Sequence, residues 1–241
     1  MKITFLGSSH GVPEPNRKCS CIMLEAGENV YFIDMGTPAI DQLVRRGISI
    51  DRVKGVFITH MHGDHTNGLI QFVDLITWYY KTPDPVICLP IPEAKNVINS
   101  WLEVTLNGHT KELEYRETRP GIVFDDGVIR VTAIATRHCL KSYSYLVECE
   151  GKSVLFTGDL RRPGEDFPEI ARKMHIDLAV CESAHFPATE YLDVFEQCNI
   201  VRVCITHYVN RFFENVLTIQ RTLMEKGIPV EIATDDRELT V

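Results

Sequence analysis

Thr59-His60-Met61-His62-Gly63-Asp64-His65 places three imidazoles and one carboxylate within six consecutive positions. Neutral imidazole and carboxylate suit zinc and its first-row neighbours, and four such donors this close together seldom serve packing alone. The run follows Val53-Lys54-Gly55-Val56-Phe57-Ile58, an apolar, β-branched stretch that reads as a buried strand. Donors at the mouth of a strand have a rigid support, and Gly63 lets the backbone turn between them. The stretch therefore reads as a metal site at the end of a strand.

Around this stretch the chain is ordinary in bulk. It has 241 residues, 44% hydrophobic and 24% charged, enough for a substantial core in one large domain or two small ones. A net charge of -8 argues against wide, non-specific binding to a nucleic-acid backbone, which needs a basic surface. The N-terminal run Met1-Lys2-Ile3-Thr4-Phe5-Leu6-Gly7 is too short for a signal peptide and leads straight into a strand. No stretch approaches a transmembrane span. A cytoplasmic protein with no membrane contact is the expectation, and the eight cysteines read as buried free thiols in a reducing compartment. Cys19-Ser20-Cys21 is the one close pair that suggests another metal, but no second pair completes a tetrahedron.

The pattern predicts strands over 2–6, 19–25 and 29–34, a helix over 38–46, a helix over 65–80, a strand over 86–89 and a helix over 93–106. The second half repeats this order without repeating the sequence. Strands are expected over 112–118, 127–136, 142–149 and 152–157, then helices near 166–174 and 188–197 with strands over 177–181 and 201–205. A helix over 212–226, a strand over 229–233 and a short polar tail complete the chain. Strands arrive in consecutive groups with helices after them in both halves. That order predicts two mixed sheets packed face to face with helices outside, a four-layer αββα arrangement. No Pro-, Gly- or Ser-rich linker splits the chain, so residues 1–241 read as one domain.

The run cannot close a site alone, and further donors stand just past other apolar strands. His138 follows Val131-Thr132-Ala133-Ile134-Ala135-Thr136, Asp159 follows Val154-Leu155-Phe156-Thr157-Gly158, and His207 follows Val203-Cys204-Ile205-Thr206. Singly, each has a bland reading as a cap or turn residue. Their conjunction with the histidine run points to one sheet edge where the donors converge.

With these residues in place, the chain resembles the metallo-β-lactamase fold superfamily of binuclear hydrolases, whose motif is His-x-His-x-Asp-His followed by a distant His, Asp and His. The resemblance covers nearly the whole chain. It implies that His60, His62 and His138 hold one divalent ion, that Asp64, His65 and His207 hold the second, and that Asp159 bridges them. Asp34 matches an early aspartate that supports a ligand histidine without binding metal. Within the superfamily the chain is most similar to the ribonuclease Z and phosphodiesterase branch, through Leu6-Gly7-Ser8-Ser9-His10-Gly11-Val12-Pro13, through Phe57-Ile58-Thr59 leading to Gly68-Leu69, and through His138-Cys139-Leu140-Lys141-Ser142-Tyr143-Ser144-Tyr145. Ser144 stands where the branch usually has Gly. Val180-Cys181-Glu182-Ser183-Ala184-His185 resembles the branch's His-Glu-Ala-Thr segment, with Cys181 in place of the first His and Glu182 at the matched position. Ribonuclease Z proper is longer and carries a protruding arm that grips transfer RNA. Nothing here reads as an inserted basic arm, and the chain is acidic, so transfer RNA is set aside as a substrate; a homodimer is implied by the resemblance.

Two ions sharing Asp159 and a solvent molecule would make a hydroxide at neutral pH, as one zinc lowers the pKa of bound water to about 7. Asp64 is expected to orient the attacking water as well as bind, with His185 as general acid and Glu182 orienting it; a lone His beside Phe186-Pro187 that caps the next helix is the alternative. The expected function is a binuclear phosphodiesterase acting on a small-molecule or short-nucleotide diester, with zinc first among ions and manganese and iron next. A lactone or thioester hydrolase is the rival reaction, and a non-catalytic nucleotide-binding module the rival class. His10, in a Gly/Pro-containing loop, reads as a solvated residue at the cleft. His109 and His175 are assigned nothing. Tyr143 and Tyr145 alternate on the strand after His138, so one at most is expected to face the cleft. Trp78-Tyr79-Tyr80 suits either a substrate pocket or a helix end packed on the core.

Overall fold

The alternation of apolar residues on the strands decides the layering. In the computed structural model, which describes residues 1–109 and 111–241, sixteen strands form: β1 (Lys2–Gly7), β2 (Cys21–Ala26), β3 (Asn29–Ile33), β4 (Val53–Phe57), β5 (Val86–Leu89), β6 (Tyr115–Glu117), β7 (Gly121–Asp125), β8 (Arg130–Ala135), β9 (Tyr143–Cys149), β10 (Lys152–Phe156), β11 (His175–Ile176), β12 (Leu178–Ser183), β13 (Asn199–Ile200), β14 (Val203–Tyr208), β15 (Val230–Ile232) and β16 (Glu238–Thr240). One seven-stranded sheet runs β16-β1-β2-β3-β4-β5-β6, the other β15-β14-β12-β10-β9-β8-β7, and β11 pairs β13 apart from both.

Both large sheets are mixed. The first is antiparallel from β16 to β3 and parallel from β3 to β6. The second is parallel from β15 to β10 and antiparallel from β10 to β7. On β3, Tyr31 and Ile33 point between the sheets with Phe57, Tyr145, Val154 and Phe156. Their neighbours Val30 and Phe32 point outward, under helices Ala39–Arg45 and Gly63–Leu75. A strand with apolar residues on both faces must be covered on both faces, and the expected αββα order is the result. The second sheet's outer face is covered by Ala188–Phe195 and by helix Phe213–Glu225. Among the described residues, no helix is long and apolar enough to cross a membrane. All eight cysteines are unpaired.

Several expected elements differ. The polar tail contains β16, which pairs antiparallel with β1. Only Leu239 of that edge strand is buried, so one apolar residue in three carried its signal. The strand expected over 127–136 forms as β8, but β7, its antiparallel partner over Gly121–Asp125, was not expected, and the strand over 112–118 shrinks to β6. Pro168 divides the helix expected over 166–174 into turns Pro163–Asp166 and Ile170–Lys173, since proline removes a backbone donor. The helix expected over 65–80 spans Gly63–Leu75 and ends in a widened π-helical turn, Ile76–Tyr80.

Candidate metal centre

Strands β3, β4, β8, β10, β12 and β14 deliver their C-terminal ends to one edge of the sandwich, as open α/β sheets do at their ligand sites. There Asp34 ends β3, His60 and His62 follow β4, and Asp64 and His65 open helix Gly63–Leu75. His138 follows β8, Asp159 follows β10, and His207 lies near the end of β14. The loop after β3 lies tightly on this helix start. Met35 N donates to His65 O at 2.8 Å, and a Cβ on Gly36 would stand 1.7 Å from Asp64 O. Only glycine permits that approach.

The structure brings all seven donors into two groups around one carboxylate. His60 Nε2, His62 Nδ1 and His138 Nε2 converge, with His62 Nδ1 at 2.9 Å from His60 Nε2 and 3.2 Å from His138 Nε2. Asp159 Oδ2 lies 3.6 Å from both His60 Nε2 and His138 Nε2. The other oxygen, Oδ1, faces the second group at 3.5 Å from His65 Nε2 and 3.4 Å from His207 Nε2. Asp64 Oδ2 closes that group at 3.2 Å from His65 Nε2 and 3.6 Å from His207 Nε2.

Electrostatics and tautomers suit cations at both groups. Burial pushes His60 down to about 2 and His138 to about 4, so both imidazoles are neutral at neutral pH. Asp34 accepts from Thr59 N at 2.7 Å and from Thr59 Oγ1 at 2.9 Å, and meets His65 Nδ1 at 2.7 Å. Thr59 Oγ1, its proton given to Asp34, accepts from His60 Nδ1 at 3.1 Å. The Nε2 lone pairs of His60 and His65 are thereby turned into the site. Buried His65 Nε2 and Asp159 Oδ1 have no hydrogen-bond partner. Buried nitrogen and oxygen lone pairs that face one another without a partner are costly in a protein interior, and a divalent cation in each group would satisfy them. Burial opposes a charge on His65, but Asp159 and Asp34 outweigh it and hold its pKa well above the usual value. A bound cation would compete with that proton.

The family model described as anti-Pycsar protein Apyc1 matches residues 1–215. The chain belongs to the anti-Pycsar Apyc1 family. Ribonuclease Z of Listeria innocua is 29% identical over 178 residues, covering 72% of this chain and 58% of that protein. The Apyc1-family chain thus spans somewhat over half the length of this curated relative. The crystal structure of human tRNase Z, short form, superposes with a TM-score of 0.78 at 20% identity, covering 100% of this chain and 99% of that one. The metallo-β-lactamase fold protein YhfI from Bacillus subtilis superposes with a TM-score of 0.74 at 17% identity, covering 99% and 98%. The fold is that of the metallo-β-lactamases, as the resemblance implied.

Around the Apyc1-family centre, the other expected residues divide. His185 stands at the rim, 38% exposed, with Nε2 3.8 Å from Asp159 Oδ2. Its Nδ1 meets both oxygens of Glu182, at 3.0 and 2.9 Å. Glu182 is buried and also accepts from Leu160 N, Ala184 N and His185 N. Burial opposes a charge on His185, yet Glu182 and then Asp159 outweigh it and raise its pKa to about 9. Cys181, one step along β12, points to the opposite face and is fully buried in the outer core. The candidate ion-binding groups among the described residues include neither Cys19 nor Cys21.

His10 is not the solvated residue expected, because it is paired with Glu14 at 3.2 Å. Tyr143 and Tyr145 both pack between the sheets, correcting the expectation that they alternate. Positions i and i+2 share a face of a strand. Trp78-Tyr79-Tyr80 lies beyond the far end of helix Gly63–Leu75, about 20 Å along the axis from the donors at 1.5 Å per residue. Asp166 was missed: it accepts from the backbone N–H of Arg137, Arg161 and Arg162 and so ties the His138 loop to the Asp159 loop. Its signal was the Pro163-Gly164-Glu165-Asp166 turn beside two arginines, which sequence order alone does not connect to residue 137.

Proposed function

We propose that this protein is a binuclear metal-dependent phosphodiesterase. The observation that carries the reading is the division of Asp159, whose Oδ2 faces His60 and His138 while Oδ1 faces His65 and His207. His60, His62 and His138 would hold one ion, Asp64, His65 and His207 the other, with zinc first among candidates and manganese and iron next. Bound ions of this kind activate water as a nucleophile and stabilise charge on phosphoryl oxygens.

The chain's own groups do the rest. Asp34 fixes His65 directly and His60 through Thr59, so both rings are aimed before any ligand arrives. Asp64, beside the second group, is positioned to orient the attacking water. His185, whose protonated form Glu182 favours, stands at the rim beside Asp159, where it can give its Nε2 proton to a departing alkoxide. Glu182 holds that ring from behind through Nδ1.

Relatives and neighbours carry the names ribonuclease Z and tRNase Z. Those names weigh against setting transfer RNA aside, and return it to the substrate panel beside cyclic nucleotides and short RNA. The first test is release of 4-nitrophenolate from bis(4-nitrophenyl) phosphate with zinc or manganese, beside Asp159→Ala. Metal-dependent turnover that falls ~10^3-fold or more in the variant, a loss of several kcal/mol of transition-state stabilisation, is expected. No turnover from a protein holding two ions would overturn the diester reading and bring lactones and thioesters forward.

A further inference from the structure

The ligand histidines are not held alike. His65 Nδ1 is fixed by Asp34 at 2.7 Å and His60 Nδ1 by Thr59 at 3.1 Å. His207 Nδ1 is buried and has no hydrogen-bond partner among the described residues. A ligand histidine normally donates its second nitrogen to something that sets its orientation. His207 must take its aim from its backbone instead, and that backbone is strained, with φ 46° in a residue other than glycine.

What holds the backbone is a clamp built around Arg17, a guanidinium only 8% exposed. His207 N donates to Ser8 O at 3.0 Å. Arg17 Nη1 donates to that same Ser8 carbonyl at 3.4 Å, and Nη2 donates to Tyr208 O at 3.0 Å. Arg17 thus holds both the carbonyl that accepts from His207 N and the carbonyl of the residue after it, and its Cζ lies 3.9 Å over the Tyr208 ring. Glu14 pairs with Nη2 and accepts from Asn210 N at 3.2 Å, closing the clamp onto the chain after His207. Asp235 holds the other end, accepting from Ser8 N and Lys18 N at 3.0 and 2.9 Å. The same loop passes against the second group, since a Cβ on Gly11 would lie 3.5 Å from Asp64 Oδ2. None of these contacts reaches His60, His62 or His138.

We infer that Arg17, braced by Glu14, is a positioning residue that sets the aim of His207 and so controls ion affinity at one half of the centre only. The inference rests on the two-ion reading above. Loss of a side chain that merely stabilises the fold would weaken both halves together or neither; loss of Arg17 is expected to weaken the Asp64–His65–His207 half selectively.

The test is a zinc titration against a chromophoric chelator, read as two affinities. Asp64→Asn marks one half and His138→Ala the other. Arg17→Met is expected to weaken the class that Asp64→Asn weakens by roughly 10- to 100-fold, leaving the class marked by His138→Ala within about twofold. Because Arg17→Met strands the Glu14 carboxylate, the double variant Glu14→Gln/Arg17→Met is measured beside it and is expected to show the same one-sided loss. Equal weakening of both classes, or no change in either, overturns the inference. A wild-type protein that never takes a second ion overturns the two-ion reading itself, and the inference with it, and that result is read before any variant is made.

Discussion

Asp34 and His207 both adopt left-handed backbone, at φ 58° and 46°, which costs a residue other than glycine about 1–3 kcal/mol. Asp34 offsets this with charge-assisted bonds from Thr59 and His65, each worth about 1.5–3 kcal/mol. Strain at both residues serves aim, and His185 illustrates the same economy at the rim. Its pKa, about 9 without bound ions and lower beside them, makes it an acid that works below that value and is lost as pH climbs through it. The sign follows for stability too: the folded value exceeds the ordinary 6.5, so the Glu182–His185 pair contributes fully below 6.5 and fades as pH rises towards 9. His185→Ala is expected to lower kcat by ~10^2–10^4-fold on a diester with an alkoxide leaving group. The effect on a 4-nitrophenyl ester is expected to be far smaller, because 4-nitrophenolate departs without a proton. Equal losses on both substrates, or an alkaline limb that persists in the variant, would remove His185 from the acid role.

At the scale of elements, the donors were legible because each stands directly after an apolar strand, and strand ends are local features. Hidden were the contacts that tie those strand ends together. Tyr145 is an example: it reads as a strand residue beside His138, yet its hydroxyl donates to Ile58 O at 2.7 Å across the sheets, one residue before Thr59. The ring is fully buried and meets Thr118 Oγ1 on its other side. Tyr145→Phe leaves the Ile58 carbonyl without this donor and is expected to cost about 1–3 kcal/mol in denaturant unfolding. A change below a few tenths would mean that the carbonyl finds another partner. Short edge elements were illegible for a related reason. β16 buries only Leu239, so no period is long enough to detect, although its pairing completes the β1 edge.

For the molecule as a whole, the centre joins the two sheets. His60, His62, Asp64 and His65 come from the first sheet and its helix, whereas His138, Asp159 and His207 come from the second. Ions bound there would act as cross-links between halves of the sandwich. Chelation is therefore expected to lower the unfolding temperature. An ion held at 1,000 times its Kd contributes about 4 kcal/mol, or roughly 8–16 °C for a chain of this size. Scanning calorimetry with and without chelator measures this, and an unchanged transition would show that the donors do not link the sheets through metal.

The amino-acid sequence by itself determined the order of strands and helices that predicts four layers, and it marked seven candidate donors at strand ends. Each strand and each candidate donor is a matter of periodicity and of residue type beside a strand, complete within a dozen positions. Only the tertiary structure decided which ring nitrogen faces inward and how Asp159 divides its oxygens. It alone showed that Cys181 turns away while Glu182 turns in, and that the backbone at His207 is held by the Ser8 and Arg17 contacts. Those outcomes depend on hydrogen bonds between residues 25 apart in Asp34–Thr59 and 191 apart in Arg17–Tyr208. No local pattern encodes such pairs, because they exist only once both sheets have packed.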